Sequence, residues 1–89
     1  MLKDVTYVEA LDPYAFRVRF EDGVEGVLAL DRLVKFEGVF ASLRDPDEFR
    51  KIGVNRELGA VCWPNGADLD SDVLYGIVTN APARIKTLA

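Results

Sequence analysis

In Tyr14-Ala15-Phe16-Arg17-Val18-Arg19-Phe20, the residues Tyr14, Phe16, Val18 and Phe20 fall on one face and Arg17 and Arg19 on the other, and Glu21-Asp22-Gly23-Val24 follows at once. A repeat of two belongs to a half-buried strand, because successive side chains leave a strand on opposite faces. Asp-Gly at the centre of a two-residue connection suits a type I′ turn, in which both central residues need positive φ. The chain therefore folds back, and residues 24–30 pair antiparallel with it. Residues 3–11 are rich in β-branched and aromatic types (Val5, Thr6, Tyr7, Val8) and run into Asp12-Pro13, a strand ending in a turn. A three-stranded meander opens the protein.

Beyond the meander the signals are those of short elements. Asp31 is placed to cap an apolar-periodic segment over 32–36, which Gly38 ends. Asp45-Pro46-Asp47-Glu48-Phe49 combines an Asp at N-cap, Pro at the first helical position and Glu at the third, the pattern of a capping box. It predicts a helix from Pro46 to about Arg50. Residues 52–55 and 60–63 flank Arg56-Glu57-Leu58-Gly59, a connection of hairpin length, and make strands four and five. Pro64-Asn65-Gly66-Ala67 breaks the sheet. Asp68, Asp70 and Asp72 then lead into a helix over 71–79, since acids in a first turn complement the helix dipole. Asn80-Ala81-Pro82 ends that helix and leaves 80–89 as a C-terminal tail. The fold class is α+β. One domain over 1–79 has an antiparallel sheet of four to five strands, the meander plus a second hairpin, with short helices and a C-terminal helix packed on one face. A chain of 89 residues supports one small core. That core is expected to hold Phe16, Val18, Phe20, Leu28, Phe40, Leu43, Phe49, Val54, Val61, Trp63, Leu74 and Ile77.

The residue types that are missing narrow the function. Histidine is absent, which removes the commonest general base, the commonest zinc ligand and the usual partner of a nucleophilic Ser or Cys. Gly23-Val24-Glu25-Gly26 continues neither as a dinucleotide fingerprint nor as a phosphate loop. Asp68, Asp70 and Asp72 open like a calcium loop, but the positions that need Gly and a bidentate Glu hold Val73 and Thr79, so helix capping is the better reading. No catalysis, metal or cofactor is expected. The formal charge is -4 and the bases are scattered without a stripe, which argues against direct binding of nucleic acid. The longest apolar stretch, Gly26-Val27-Leu28-Ala29-Leu30, is too short to cross a membrane. Met1-Leu2-Lys3-Asp4 carries an acid where a signal peptide turns apolar, and the single cysteine, Cys62, reads as a small hydrophobe in a reducing compartment. A cytoplasmic location follows.

What remains is recognition. Trp63, the only tryptophan, stands before the Pro-Asn-Gly turn as a core anchor or as the aromatic centre of an interface. Asn65 and Asp68 lie beside it in the turn, Tyr75 follows on the last helix, and Arg17 and Arg19 share a strand face that is either solvated surface or a dock for an acidic partner. Trp63, Asn65, Asp68, Tyr75, Arg17 and Arg19 make the candidate interaction surface. The strands over 3–11 and 24–30 are candidate edges with few charges to block strand addition.

The stretches Gly38-Val39-Phe40-Ala41-Ser42-Leu43, Trp63-Pro64-Asn65-Gly66-Ala67-Asp68-Leu69 and Asp72-Val73-Leu74-Tyr75 resemble a bacterial family called domain of unknown function 2442, as do Phe20-Glu21-Asp22-Gly23 and the segment from Leu43 to Phe49. The resemblance runs from about Val5 to Tyr75. It implies a small α+β domain without assigned catalytic residues. In this family some longer relatives carry a helix-turn-helix domain, and some are encoded beside a second small protein in an arrangement similar to toxin–antitoxin pairs. The expectation is a non-enzymatic protein-interaction module bound to a protein partner, an antitoxin-like member of such a pair. The alternative is a homodimeric ligand-sensing or regulatory module.

Overall fold

The computed structural model describes the backbone over residues 4–88 and the side chains over residues 4–80. Its elements run β1 (Val5–Ala10), β2 (Ala15–Phe20), β3 (Glu25–Ala29), α1 (Leu30–Leu33), a 3-10 helix (Gly38–Arg44), α2 (Pro46–Phe49), β4 (Gly53–Asn55), β5 (Ala60–Cys62), β6 (Asp68–Leu69) and α3 (Ser71–Leu88). The class is α+β and the meander forms as expected. The strands make two three-stranded antiparallel sheets, ordered β1-β2-β3 and β4-β5-β6, instead of one. A backbone bond from the Val5 N–H to the Gly59 carbonyl, 2.8 Å long, joins the start of β1 to the connection between β4 and β5. The β1 edge expected to lie open is therefore engaged at that end.

The alternation in β2 does what its period requires. Phe16, Val18 and Phe20 point inward with almost no exposure, opposite Leu28, Gly26 and Val5 respectively on the neighbouring strands. Leu43, Phe49, Val61, Trp63 and Leu74 complete the expected core, while Phe40, Val54 and Ile77 pack half-buried at its margin. Val5, Leu30, Ala67 and Val78 are buried as well. The helix α3 approaches the inner face at Gly26. A Cβ there would stand 2.7 and 2.8 Å from the two Val78 methyl carbons, so the absence of a side chain on β3 sets how closely the helix packs.

Several local devices differ from the expected ones. The β2–β3 turn is not type I′, since Gly23 is at φ 91° and, among the described residues, no non-glycine residue has positive φ. The Gly23 N–H bonds the Phe20 carbonyl at 2.9 Å and the Phe20 N–H bonds the Val24 carbonyl at 2.8 Å. This is a type I turn closed by a glycine bulge, which asks for positive φ only at Gly23. In α2, Asp45 caps as expected, its Oδ1 accepting from the Asp47 N–H at 2.9 Å. Glu48 does not close the box, because the Asp45 N–H already bonds the Ser42 carbonyl and Glu48 pairs with Lys51 at 2.9 Å. At α1, Ala29 holds the N-cap position without a side-chain bond and Asp31 lies in the first turn. The C-terminal helix runs on to Leu88, where an end near Thr79 and a tail were expected. The side chains of Thr79 and Asn80 bond the Tyr75 and Gly76 carbonyls within the helix, at 2.8 and 2.7 Å, and the helix continues past both.

Gly26→Ala is expected to lower stability by about 1–3 kcal/mol through overpacking. In a double-mutant cycle with Val78→Ala, thermal unfolding should show a favourable coupling of about 0.5–3 kcal/mol. Additive effects would mean that the helix does not rest on Gly26.

Candidate interaction surface

The hairpin between β5 and β6 repeats the turn between β2 and β3 bond for bond. The Gly66 N–H bonds the Trp63 carbonyl at 3.1 Å, the Trp63 N–H bonds the Ala67 carbonyl at 2.9 Å, and Gly66 has φ 96°. In each turn the residue before the glycine accepts from the amide two positions on: Val24 N–H to Asp22 Oδ1 and Ala67 N–H to Asn65 Oδ1, both at 3.0 Å. Each of these side chains also reaches a distant element with its other end. Asn65 Nδ2 donates to the Val39 carbonyl at 2.9 Å and Ser42 Oγ at 2.8 Å, tying the hairpin to the 3-10 helix. Asp22 Oδ2 accepts from the Tyr75 hydroxyl at 2.5 Å, tying the first hairpin to α3.

Trp63 is a core anchor. It is 3% exposed, its Nε1–H donates to the Phe49 carbonyl at 3.0 Å, and its ring lies 6.3 Å from Phe49 and 6.4 Å from Phe40. Tyr75 is half-buried, edge-on to Phe20 at 5.0 Å. The bond to Asp22, then burial and the Asp22 charge, hold its hydroxyl above the ordinary tyrosine range. Arg17 and Arg19 sit in the middle of the outer face of the first sheet, paired to Glu9 at 2.9 Å and Glu25 at 2.8 Å, with the Arg19 guanidinium over the Tyr7 ring. The six expected surface residues thus separate into four places: Trp63 in the core, Asn65 and Tyr75 in clamps between elements, Arg17 and Arg19 on an outer sheet face, and Asp68 on β6. Asp68 alone leads to an open edge.

That edge is β6. Its two residues pair with β5 as Val61↔Leu69 and Cys62↔Asp68, and β6 is the last strand of its sheet. Hollows flank it on both faces, and Asp68, Leu69 and Asp70 line both. One, of about 340 Å³, is completed by Leu58, Ala60 and Ser71. The other, of about 300 Å³, is completed by Leu33, Val34, Val73, Leu74 and Ile77. Leu58 and Val73 are 62% and 58% exposed, among the most exposed large apolar side chains described. The three acids divide their duties. Asp70 is the N-cap of α3, accepting from the Asp72 N–H at 2.9 Å and, through its carbonyl, from the Leu74 N–H at 3.1 Å. Asp72 lies in the first helical turn and Asp68 on the strand, all three exposed. Among the described residues no group of three or more His, Cys, Asp or Glu is arranged to hold a metal, and no helix is long and apolar enough to cross a membrane. Sequence reasoning missed Leu58, Leu69, Val73 and the hollows because a two-residue strand carries no period to detect.

Residues 5–80 match a family described as protein of unknown function (DUF2442). The chain belongs to this family. No curated protein and no solved structure matches it. The DUF2442 match takes in both sheets, both glycine turns and the β6 edge.

Asn65→Ala leaves the buried Ala67 N–H without its partner and removes the bonds to the Val39 carbonyl and Ser42 Oγ, and should destabilise by about 1–3 kcal/mol. Asp68→Ala should stay within about 0.5 kcal/mol, the usual range for a surface change, and paired thermal melts would separate the clamp from the edge residue. Because the Tyr75 hydroxyl is raised in the folded state, its contribution is complete below pH 10.0, its ordinary value, and is lost as pH climbs through the folded value. The tyrosinate absorbance step that disappears in Tyr75→Phe should therefore lie above pH 10.0 and move down in Asp22→Asn.

Proposed function

We propose that this protein is a small, non-enzymatic, cytoplasmic protein-interaction module that works by holding a heterologous protein partner, as an antitoxin-like member of a two-protein pair. The observation that carries this reading is the open edge of β6 set between two hollows with exposed apolar rims. Exposed apolar surface beside an unpaired strand edge is what strand-capturing domains present and what other proteins hide. The pairing with a small partner is drawn from the family resemblance.

A homodimeric sensing module is the competing reading, and the outer face of the first sheet speaks against its simplest form. Its residues form two cross-strand rows, Glu9-Arg17-Val27 and Tyr7-Arg19-Glu25. Two copies stacked face to face about a two-fold axis through β2 would set arginine against arginine, a repulsion that desolvation would sharpen.

Affinity purification at native expression, followed by mass measurement of the intact complex, tests the proposal. We expect one constant small heterologous companion. A dimer of this chain alone would favour the sensing module, and a plain monomer would contradict both.

A further inference from the structure

We propose that the β6 edge accepts an extended segment of the partner protein in which Lys or Arg alternates with aliphatic residues. This rests on the interaction-module reading and specifies the occupant. The Trp63 N–H bond to the Ala67 carbonyl fixes the phase of the β5–β6 ladder. Antiparallel pairs alternate between bonded and non-bonded. With Trp63 and Ala67 opposed in a bonded pair, Cys62↔Asp68 is a non-bonded pair and Val61↔Leu69 a bonded one. The amide and carbonyl of Asp68 therefore point away from β5, toward the place of an added strand.

The two faces of that place ask for different side chains. Leu69 shares its face with Val61, and the hollow completed by Leu33, Val34, Val73 and Ile77 is walled mainly by aliphatic side chains, with Asp68 and Asp70 also in its lining. Asp68 and Asp70 share the opposite face with Ala60, and Leu58 walls the hollow there. A residue added opposite Asp68 projects on the same side as Asp68, and its two neighbours project toward Leu69. A lysine or arginine at the first position meets Asp68 and lays its aliphatic stem along Leu58. Its aliphatic neighbours enter the other hollow. The edge is short, so the backbone ladder supplies few bonds, and discrimination falls on this alternation of charge and apolar contact.

The probe is a capped pentapeptide, Lys-Val-Lys-Val-Lys, compared with a block peptide of the same composition, Lys-Lys-Lys-Val-Val, and with Glu-Val-Glu-Val-Glu. Binding to the full chain is followed by backbone amide shifts, with size-exclusion mass alongside. The alternating peptide should perturb residues 58, 68–70 and 73, and bind about tenfold more tightly than the block peptide, which, when one of its lysines meets Asp68, sets another lysine where the apolar hollow takes an aliphatic side chain. The acidic peptide should not bind. Asp68→Lys should abolish the preference while leaving the melting temperature unchanged. Equal binding of the alternating and block peptides, shifts confined to the Arg17 and Arg19 face, or no binding at millimolar peptide would overturn the proposal. So would a dimer that Asp68→Lys dissociates, because a second copy would then occupy the edge. If Asp68→Lys still co-purifies with the wild-type companion, the module reading stands and the β6 edge is not where that companion docks.

Discussion

Two side chains, Asp22 and Asn65, each hold a hairpin turn with one end and a distant element with the other, and the arrangement of the whole domain follows from them. In both hairpins the glycine supplies the one positive φ that the turn needs and the preceding side chain satisfies the amide beyond it. A turn of this kind would by itself be a local matter. The second bond makes it tertiary: Asp22 reaches Tyr75 across 53 positions of sequence, and Asn65 reaches Val39 across 26. Two small sheets that share no continuous ladder are thereby fastened to the helices between and after them.

This fastening explains how so short a chain presents an edge without collapsing onto it. Trp63 fills the space under the second hairpin and bonds the Phe49 carbonyl, so the strand leading into the turn is anchored in the core. Ala67, buried at the far side of the same turn, fixes where β6 begins. Asp70 then converts the chain to helix immediately after Leu69. The strand is two residues long because it is pinned between a turn and an N-cap. A short edge is a poor template for indiscriminate pairing, and the acids and hollows around it supply the selectivity that backbone bonds cannot.

The meander, the second hairpin, the capped helix at Pro46 and most of the core were legible in the sequence, because each rests on a signal within a few residues: alternation in β2, Asp-Pro at an N-cap, glycine in a connection. The 3-10 helix of Gly38–Arg44 and the strand β6 were not. The first has no helical period of its own and is held by the Asn65 bonds from outside, and the second is too short to show alternation. The candidate residues were informative in a different sense from the one expected. Trp63, Asn65 and Tyr75 are indeed special, but their polar atoms are engaged within the chain, by the Phe49 carbonyl, the 3-10 helix and Asp22. A sequence shows that an Asn precedes a Gly in a turn; it does not show what the other end of that Asn touches. The exposed apolar residues at the open edge, Leu58 and Val73, lie far apart in sequence and come to line separate hollows beside β6 only in the folded chain.

Native-state hydrogen exchange tests the two clamps most directly. Both Val24 and Ala67 donate their amides to a clamp side chain. If the clamps hold the hairpins to the body of the domain, these two amides exchange only through global unfolding, with the same opening free energy as the amides of the central strand β2. Exchange of either one through a low-energy local opening, while β2 stays protected, would show that the hairpin moves freely and would contradict the account.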